Sequence, residues 1–182
     1  MTPLGADPSR FGDPIAAKTQ WTPLVPGGAN FATHTLVVGE ASRLEFKPSL
    51  GLKLFGAVFL LVGVGCTLGG LLVPQWFMVL FGLPFAAVGA YVLKPRTILF
   101  DGAARVFTGP KGQVPFGAIH AVQIVKEHVS SSDSDYWSYE LNLVLTDGER
   151  VNVVDHGKLE RVRADAQTVS ALLGCKLWDA GP

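Results

Sequence analysis

Charge is scarce in this chain. Asp, Glu, Lys and Arg make up 16% of its 182 residues, against about a quarter in an average soluble domain. Fifteen basic side chains cancel fifteen acidic ones, so there is no overall positive field to hold nucleic acid, which argues against a nucleic-acid partner. Cysteine is scarcer still. Cys66 and Cys175 stand alone and far apart, which excludes a disulfide-stapled scaffold and a Cys-based zinc site. The excess lies with apolar residues, 48% of the chain, and the mean hydropathy is +0.33. Part of the chain is therefore expected in lipid.

The location of that part is set by one further absence. From Leu54 to Leu93, 40 consecutive residues include no Asp, Glu, Lys, Arg or His. About 20 helical residues cross a hydrocarbon core of roughly 30 Å, so the run (51–94 with its flanks) is long enough for a two-helix transmembrane hairpin. Val73-Pro74-Gln75-Trp76 marks the break, because Pro74 cannot continue a helix and Gln75 and Trp76 suit an interface. The expected helices are 52–73 and 76–93. A single central Arg, Lys or Asp would cost about 2.5–3.5 kcal/mol on insertion. A buried soluble hairpin would carry polar residues on an outer face, and from Leu54 onward these helices have no charge on any face. The run starts well inside the chain without a basic stretch before it, so it does not read as a signal peptide.

Lys47 and Lys53 precede the first helix, Lys94 and Arg96 follow the second, and the connecting turn is uncharged. The positive-inside rule then places both termini in the cytoplasm of a cell with this inner membrane, with Lys53, Trp76, Lys94 and Arg96 at the interfaces. Gly65 and Gly69, like Gly82 and Ala86, are four apart. This small-residue spacing lets helices approach, either within the hairpin or in a homo-oligomer. Pro84 is expected to kink the second helix. With no ionisable residue at mid-depth, a transport path has nothing to use.

Outside the run, residues 1–34 carry five prolines and Gly27-Gly28 and read as an extended cytoplasmic arm without a core of its own. Its Trp21 and Phe31 either dock back on the folded part or anchor a partner. Residues 35–50 read as a strand pair, 35–38 and 43–46, around Gly39-Glu40-Ala41-Ser42. After the hairpin, 97–100 and 105–108 flank Asp101-Gly102, and Gly109-Pro110-Lys111-Gly112 closes that pair. Residues 118–126 form a long strand, and the polar Ser130–Asp135 loop follows it. Leu141, Leu143 and Leu145 then bury one face of a strand over 136–146, and Asp147-Gly148 turns into 150–154. Finally Leu159, Val162, Ala166, Val169 and Leu173 are spaced 3, 4, 3 and 4, the stripe of an amphipathic helix over about 158–173, with Asp155 as N-cap and Gly174 as C-cap. Leu177 and Trp178 should tuck against the sheet. The fold class is thus a membrane protein with a two-helix hairpin and an α+β domain, a curved antiparallel sheet capped by a C-terminal helix.

The two-helix hairpin, the Phe100-Asp101-Gly102 turn, the lead-in Val114-Pro115-Phe116-Gly117-Ala118-Ile119 and the Leu145-Thr146-Asp147-Gly148 turn before a closing helix together resemble the bacterial PH-like domain membrane proteins. The resemblance covers about 35–179 and implies seven strands and a C-terminal helix, with a PH-like cytoplasmic domain at 95–182. Five strands after the apolar run and two before it would supply the seven, and the hairpin would then be inserted within a split barrel.

The residues that could carry chemistry are few. His120 and His128 are about 27 Å apart at the rise of a strand, and no HExxH occurs, so no metal or other cofactor is expected. Asp155-His156 could form an acid–base pair, but adjacent strand residues point apart, and a helix cap and a turn residue explain the dipeptide better. There is no G-x-S-x-G elbow, and Gly109-Pro110-Lys111-Gly112 is not a phosphate loop. Cys66 and Cys175 read as packing residues. Phosphoinositide binding is disfavoured because residues 94–182 carry ten basic against eleven acidic side chains. Tyr136, Trp137 and Tyr139 are candidates for a protein contact, or else pack in the barrel. The expectation is a non-enzymatic scaffolding module at the cytoplasmic face of the inner membrane, with the bilayer and other membrane proteins as partners. The alternatives are a membrane-associated enzyme or a lipid-sensing domain with a site near His156.

Overall fold

The structure is a computed structural model that describes residues 7–130 and 135–179. It divides into two compact units: residues up to Lys47 together with those from Thr97 onward, and Pro48–Arg96 between them. The sheet unit is therefore interrupted in sequence by the helical unit.

In the sheet unit, His34–Val38 (β1) and Arg43–Pro48 (β2) precede the interruption, and Leu99–Asp101 (β3), Val106–Gly109 (β4) and Gly112–Pro115 (β5) follow it. These make one sheet in the order β1-β2-β3-β4-β5. The pairing that crosses the interruption is antiparallel, with Leu44 opposite Phe100 and Glu45 opposite Leu99. Ile119–Ser130 (β6), Asp135–Leu145 (β7), Arg150–His156 (β8) and Lys176–Asp179 (β9) make a second sheet, β8-β7-β6-β9, in which β9 runs parallel to β6. Part of the Ser130–Asp135 loop, residues 131–134, lies outside the described residues. Nine strands are found among the described residues where seven were expected. The two additional ones were concealed for different reasons. β5 is a four-residue strand ending in Pro115, too short to show alternation. β9 pairs with a partner more than fifty residues earlier, which no local pattern announces.

The main core joins both sheets. Phe46, Phe100, Phe107 and Phe116 meet Val122, Ile124, Leu141 and Leu143 there, with the Phe100 and Phe107 rings 4.6 Å apart. Leu159–Leu173 (α4) adds Val162, Ala166 and Val169 from its apolar stripe. Gly174 ends α4 in the left-handed region at φ 66°, where a side chain would be strained. The expected N-cap is corrected. Lys158 occupies that position without a side-chain cap bond, while Asp155 and His156 remain in β8, paired opposite Glu140 and Tyr139. The ladder to β7 continues for two residues past Val154, and that pairing outcompetes a cap.

The arm also departs from expectation, because it is not simply extended. Pro8–Phe11 forms a 3-10 turn capped by Asp7, whose carboxylate accepts the Ser9 amide. Pro14–Lys18 (α1) follows, with the Asp13 carboxylate accepting the Ile15 amide at 3.0 Å. Pro14 at the start of α1 has no N–H to leave unpaired. Phe11, Ile15, Ala16 and Trp21 pack with Ala121, Val144 and Trp178 into a second apolar cluster. Phe11 and Trp21 stack at 5.1 Å with planes 2° apart. The arm shares a core with the sheet.

In the helical unit, Leu50–Leu72 (α2) is capped by the Ser49 hydroxyl, and Trp76–Leu93 (α3) runs without a break through Pro84. The two are long and apolar enough to cross a membrane. Only 17% and 11% of their most apolar 18-residue stretches are buried, and Leu72, Leu80 and Trp76 point outward. Gly82 and Ala86 face α2 as expected, but Gly65 does not face α3. A Cβ on Gly65 would meet nothing within 4 Å. The close approach instead uses glycines seven apart, Gly56, Gly63 and Gly70 on α2 and Gly82 and Gly89 on α3. A Cβ on Gly63 would lie 2.1 Å from the Ala86 nitrogen, and one on Gly89 2.3 Å from the Leu60 nitrogen. A seven-residue period keeps one seam facing a partner over several turns.

Candidate functional site

Alternation along β6 and β7 gives the four-stranded sheet two unlike faces. One face sends Val122, Ile124, Leu141 and Leu143 into the main core. The cross-strand pairs of the other are Ala121–Val144, Gln123–Asn142, Val125–Glu140 and Glu127–Ser138, with Arg150, Asn152 and Asp155 in register from β8. This second face is apolar at one end and polar over the rest. Gln123, Ser138, Glu140 and Asn142 are nonetheless buried on it, because the arm covers them.

The arm is held mainly through its backbone. Gln123 Nε2 donates to the Gln20 carbonyl at 3.2 Å. The two oxygens of Glu140 accept the Leu24 and Val25 amides at 2.9 and 2.8 Å. Glu127 accepts those of Gly27 and Gly28 at 3.0 and 3.2 Å, and the Tyr136 hydroxyl donates to the Gly28 carbonyl at 2.9 Å. Gly28 lets the arm lie close here, since a Cβ would crowd the Ser138 side chain. Further on, the Gly157 amide donates to the Phe31 carbonyl, Thr33 donates to the Asp155 carbonyl, and Ala32 bridges His156. Two adjacent amides on one carboxylate are charge-assisted bonds, roughly twice the strength of neutral ones.

The electrostatics divide by position. Near α1, burial would raise the Asp13 carboxyl, but bonds from His120 at 2.9 Å, the Ile15 amide and Lys176 at 3.3 Å outweigh it and hold it at about 2. Asp155 behaves oppositely. Burial and the neighbouring Glu140 push it up to about 6, against the Asn152 hydrogen bond and His156. Burial also lowers Arg150 despite the attraction of Glu140; its Nη1 donates to Gln123 Oε1 at 3.2 Å. Asn142 Nδ2 donates to Glu140 Oε1 at 2.6 Å, while its Oδ1 is buried without a donor. A mixed-charge cleft of about 300 Å³ opens beside the arm between Lys18, Gln20, Leu24 and the Asp147–Arg150 turn.

The sequence-derived candidates are scattered by this arrangement. Trp21 anchors the arm, its Nε1 donating to the Ala16 carbonyl at 3.0 Å and its ring 6.0 Å from Trp178. Phe31 is half-buried on the arm. Tyr136 holds the arm, Tyr139 is buried in the main core, and Trp137 is half-buried under the Lys126 ammonium at 3.8 Å, beside His128. Asp155 and His156 point to opposite faces. His156 is 1% exposed, 3.3 Å from Asp165 of α4, and away from the cleft. Among the described residues no group of His, Cys, Asp and Glu could hold a metal ion. In the helical unit, Lys53 lies in the first turn of α2, Trp76 opens α3, and Lys94 and Arg96 follow it, with the Arg96 guanidinium 4.5 Å over the Tyr91 ring. Glu140, Gln123, Glu127 and Asn142 were not foreseen. The one available signal was that residues 19–33 contain no charged side chain. Comparison of the chain with protein-family models and with curated proteins found no significant match.

Proposed function

We propose that this chain is a membrane-anchored, non-enzymatic interaction module: a PH-like domain held by the α2–α3 hairpin at the cytoplasmic face of the inner membrane, where it scaffolds other membrane proteins. The observation that carries this reading is the sheet face that grips an extended stretch of polypeptide by its backbone through Glu140 and Glu127. A surface that binds main chain recognises other chains by the same chemistry. The outward apolar side chains of α2 and α3 support the anchor, and Lys53, Lys94 and Arg96 support the orientation.

The test combines topology with contact. The full chain should resist alkaline extraction from membranes, and protease added outside intact cells should spare both termini. A photo-crosslinking residue at Trp137 should join it to discrete membrane proteins. Recovery in the soluble fraction, or crosslinking that yields free monomer alone, would refute the proposal.

A further inference from the structure

The face under the arm has more acceptors than the arm has donors to offer. Glu127, Glu140 and Asp155 line it, yet residues 19–33, which lie across it, bring no charged side chain. They supply only amide dipoles. Arg150, the cation from β8, attracts Glu140 from a distance but spends its hydrogen bond on Gln123, and Lys126, next in sequence to Glu127, is over Trp137 on the opposite face. At the centre of the face, Asn142 Oδ1 is fully buried and has no donor. Its orientation is fixed, because Nδ2 is spent on Glu140. A buried carbonyl oxygen without a donor beside a carboxylate is the site an ammonium or guanidinium fills best.

The interface is also of a kind that can open. Apart from His156, every buried polar or charged side chain among the described residues (Asp13, Thr19, Gln123, Ser138, Glu140 and Asn142) lies in it. Uncovering its polar part, beyond the Trp21 cluster at the apolar end, exposes mostly hydrophilic groups with Val125 among them, unlike the leucine face behind it.

We propose that this sheet face is a docking site for an extended, Lys- or Arg-bearing segment of another membrane protein, and that residues 20–33 are its uncharged placeholder. This rests on the interaction-module reading and names its partner chemistry. Cytoplasmic loops beside transmembrane helices are rich in Lys and Arg, which gives such a segment both its charge and its proximity. The incoming main chain takes over the Glu140 and Glu127 bonds of the arm, and its cations add what the arm lacks. Because the arm is tethered, it competes at high effective concentration, so loosening it raises the apparent affinity.

The experiment uses the full chain in non-ionic detergent with a short labelled peptide of Lys, Arg, Ser and Pro, and a twin with Ser in place of every Lys and Arg. In the wild type, the basic peptide should speed hydrogen exchange at the Leu24, Val25 and Gly27 amides, and the twin should not. Val25→Pro, which removes one amide from Glu140, should tighten basic-peptide binding about tenfold, and Trp21→Ala serves as a second way of loosening the arm. Glu140→Gln in either background should abolish that gain. Unchanged exchange with excess basic peptide overturns the proposal. So does equal binding of the neutral twin, which would point to another copy's arm, or binding indifferent to Glu140→Gln. If any of these occurs while the chain still resists membrane extraction and crosslinks through Trp137, this docking site fails alone and the interaction-module reading stands.

Discussion

Asp155 shows how far one side chain can be turned against the fold that holds it. In the unfolded chain it ionises near 3.8, and in the folded one at about 6. Between those values the folded state keeps a proton that the unfolded state has released, so stability falls as pH rises from about 4 to about 6, and the penalty persists above that range. Asp155→Asn keeps an acceptor for Asn152 and cannot ionise. Urea unfolding in detergent should therefore show the variant more stable at pH 8 by on the order of 2–3 kcal/mol and little changed at pH 4. Equal stabilities at pH 8 would show that Asp155 is not desolvated by the arm and Glu140. From its position alone, just upstream of the α4 stripe, this residue reads as a helix cap. Its real role depends on Glu140, fifteen residues away on another strand, and on Thr33 and the arm above it. The same limit hid Glu140. Ser138, Glu140 and Asn142 alternate with Tyr139, Leu141 and Leu143, and a polar alternate face reads as solvated unless the covering segment is known.

Elements with a strong local period were legible, and those defined by a distant partner were not. The Asp147-Gly148 turn and the α4 stripe at Leu159, Val162, Ala166, Val169 and Leu173 appear where the sequence placed them. β9 could not be foreseen, because parallel pairing with β6 fixes it. α2 and α3 fall in between. The limits of both helices are legible to within two residues at each end, but of the pair Gly65 and Gly69 only Gly69 comes near α3, beside Met78. The seven-residue series Gly56, Gly63, Gly70 makes the contact, and this distinction is testable. Gly63→Leu places side-chain atoms in the Ala86 backbone and should loosen the hairpin by about 1–3 kcal/mol or more, read as a rise in distance between fluorophores on the two helices. Gly65→Leu adds the same bulk with nothing in reach and should leave that distance unchanged. Equal effects at the two sites would discard the seven-residue seam.

At the scale of the whole molecule, the helical unit is an insertion between two adjacent strands of one sheet. The Phe46 amide donates to the Ile98 carbonyl at 2.9 Å, so the chain leaves and re-enters the sheet at neighbouring positions. Replacing residues 48–96 by a short Gly-containing turn from Lys47 to Thr97 should close β2 onto β3 as an ordinary hairpin. The shortened protein should stay in solution without detergent and melt in a single cooperative transition. Aggregation or a broad, non-cooperative melt would mean that the sheet unit needs the helices to fold.

The same adjacency imposes an order on biogenesis. As the chain emerges from the ribosome, β2 must wait, its outer edge bare, until some fifty greasy residues have been made and housed and β3 has followed them. Completion of the ladder thus comes only after the whole helical unit has been made.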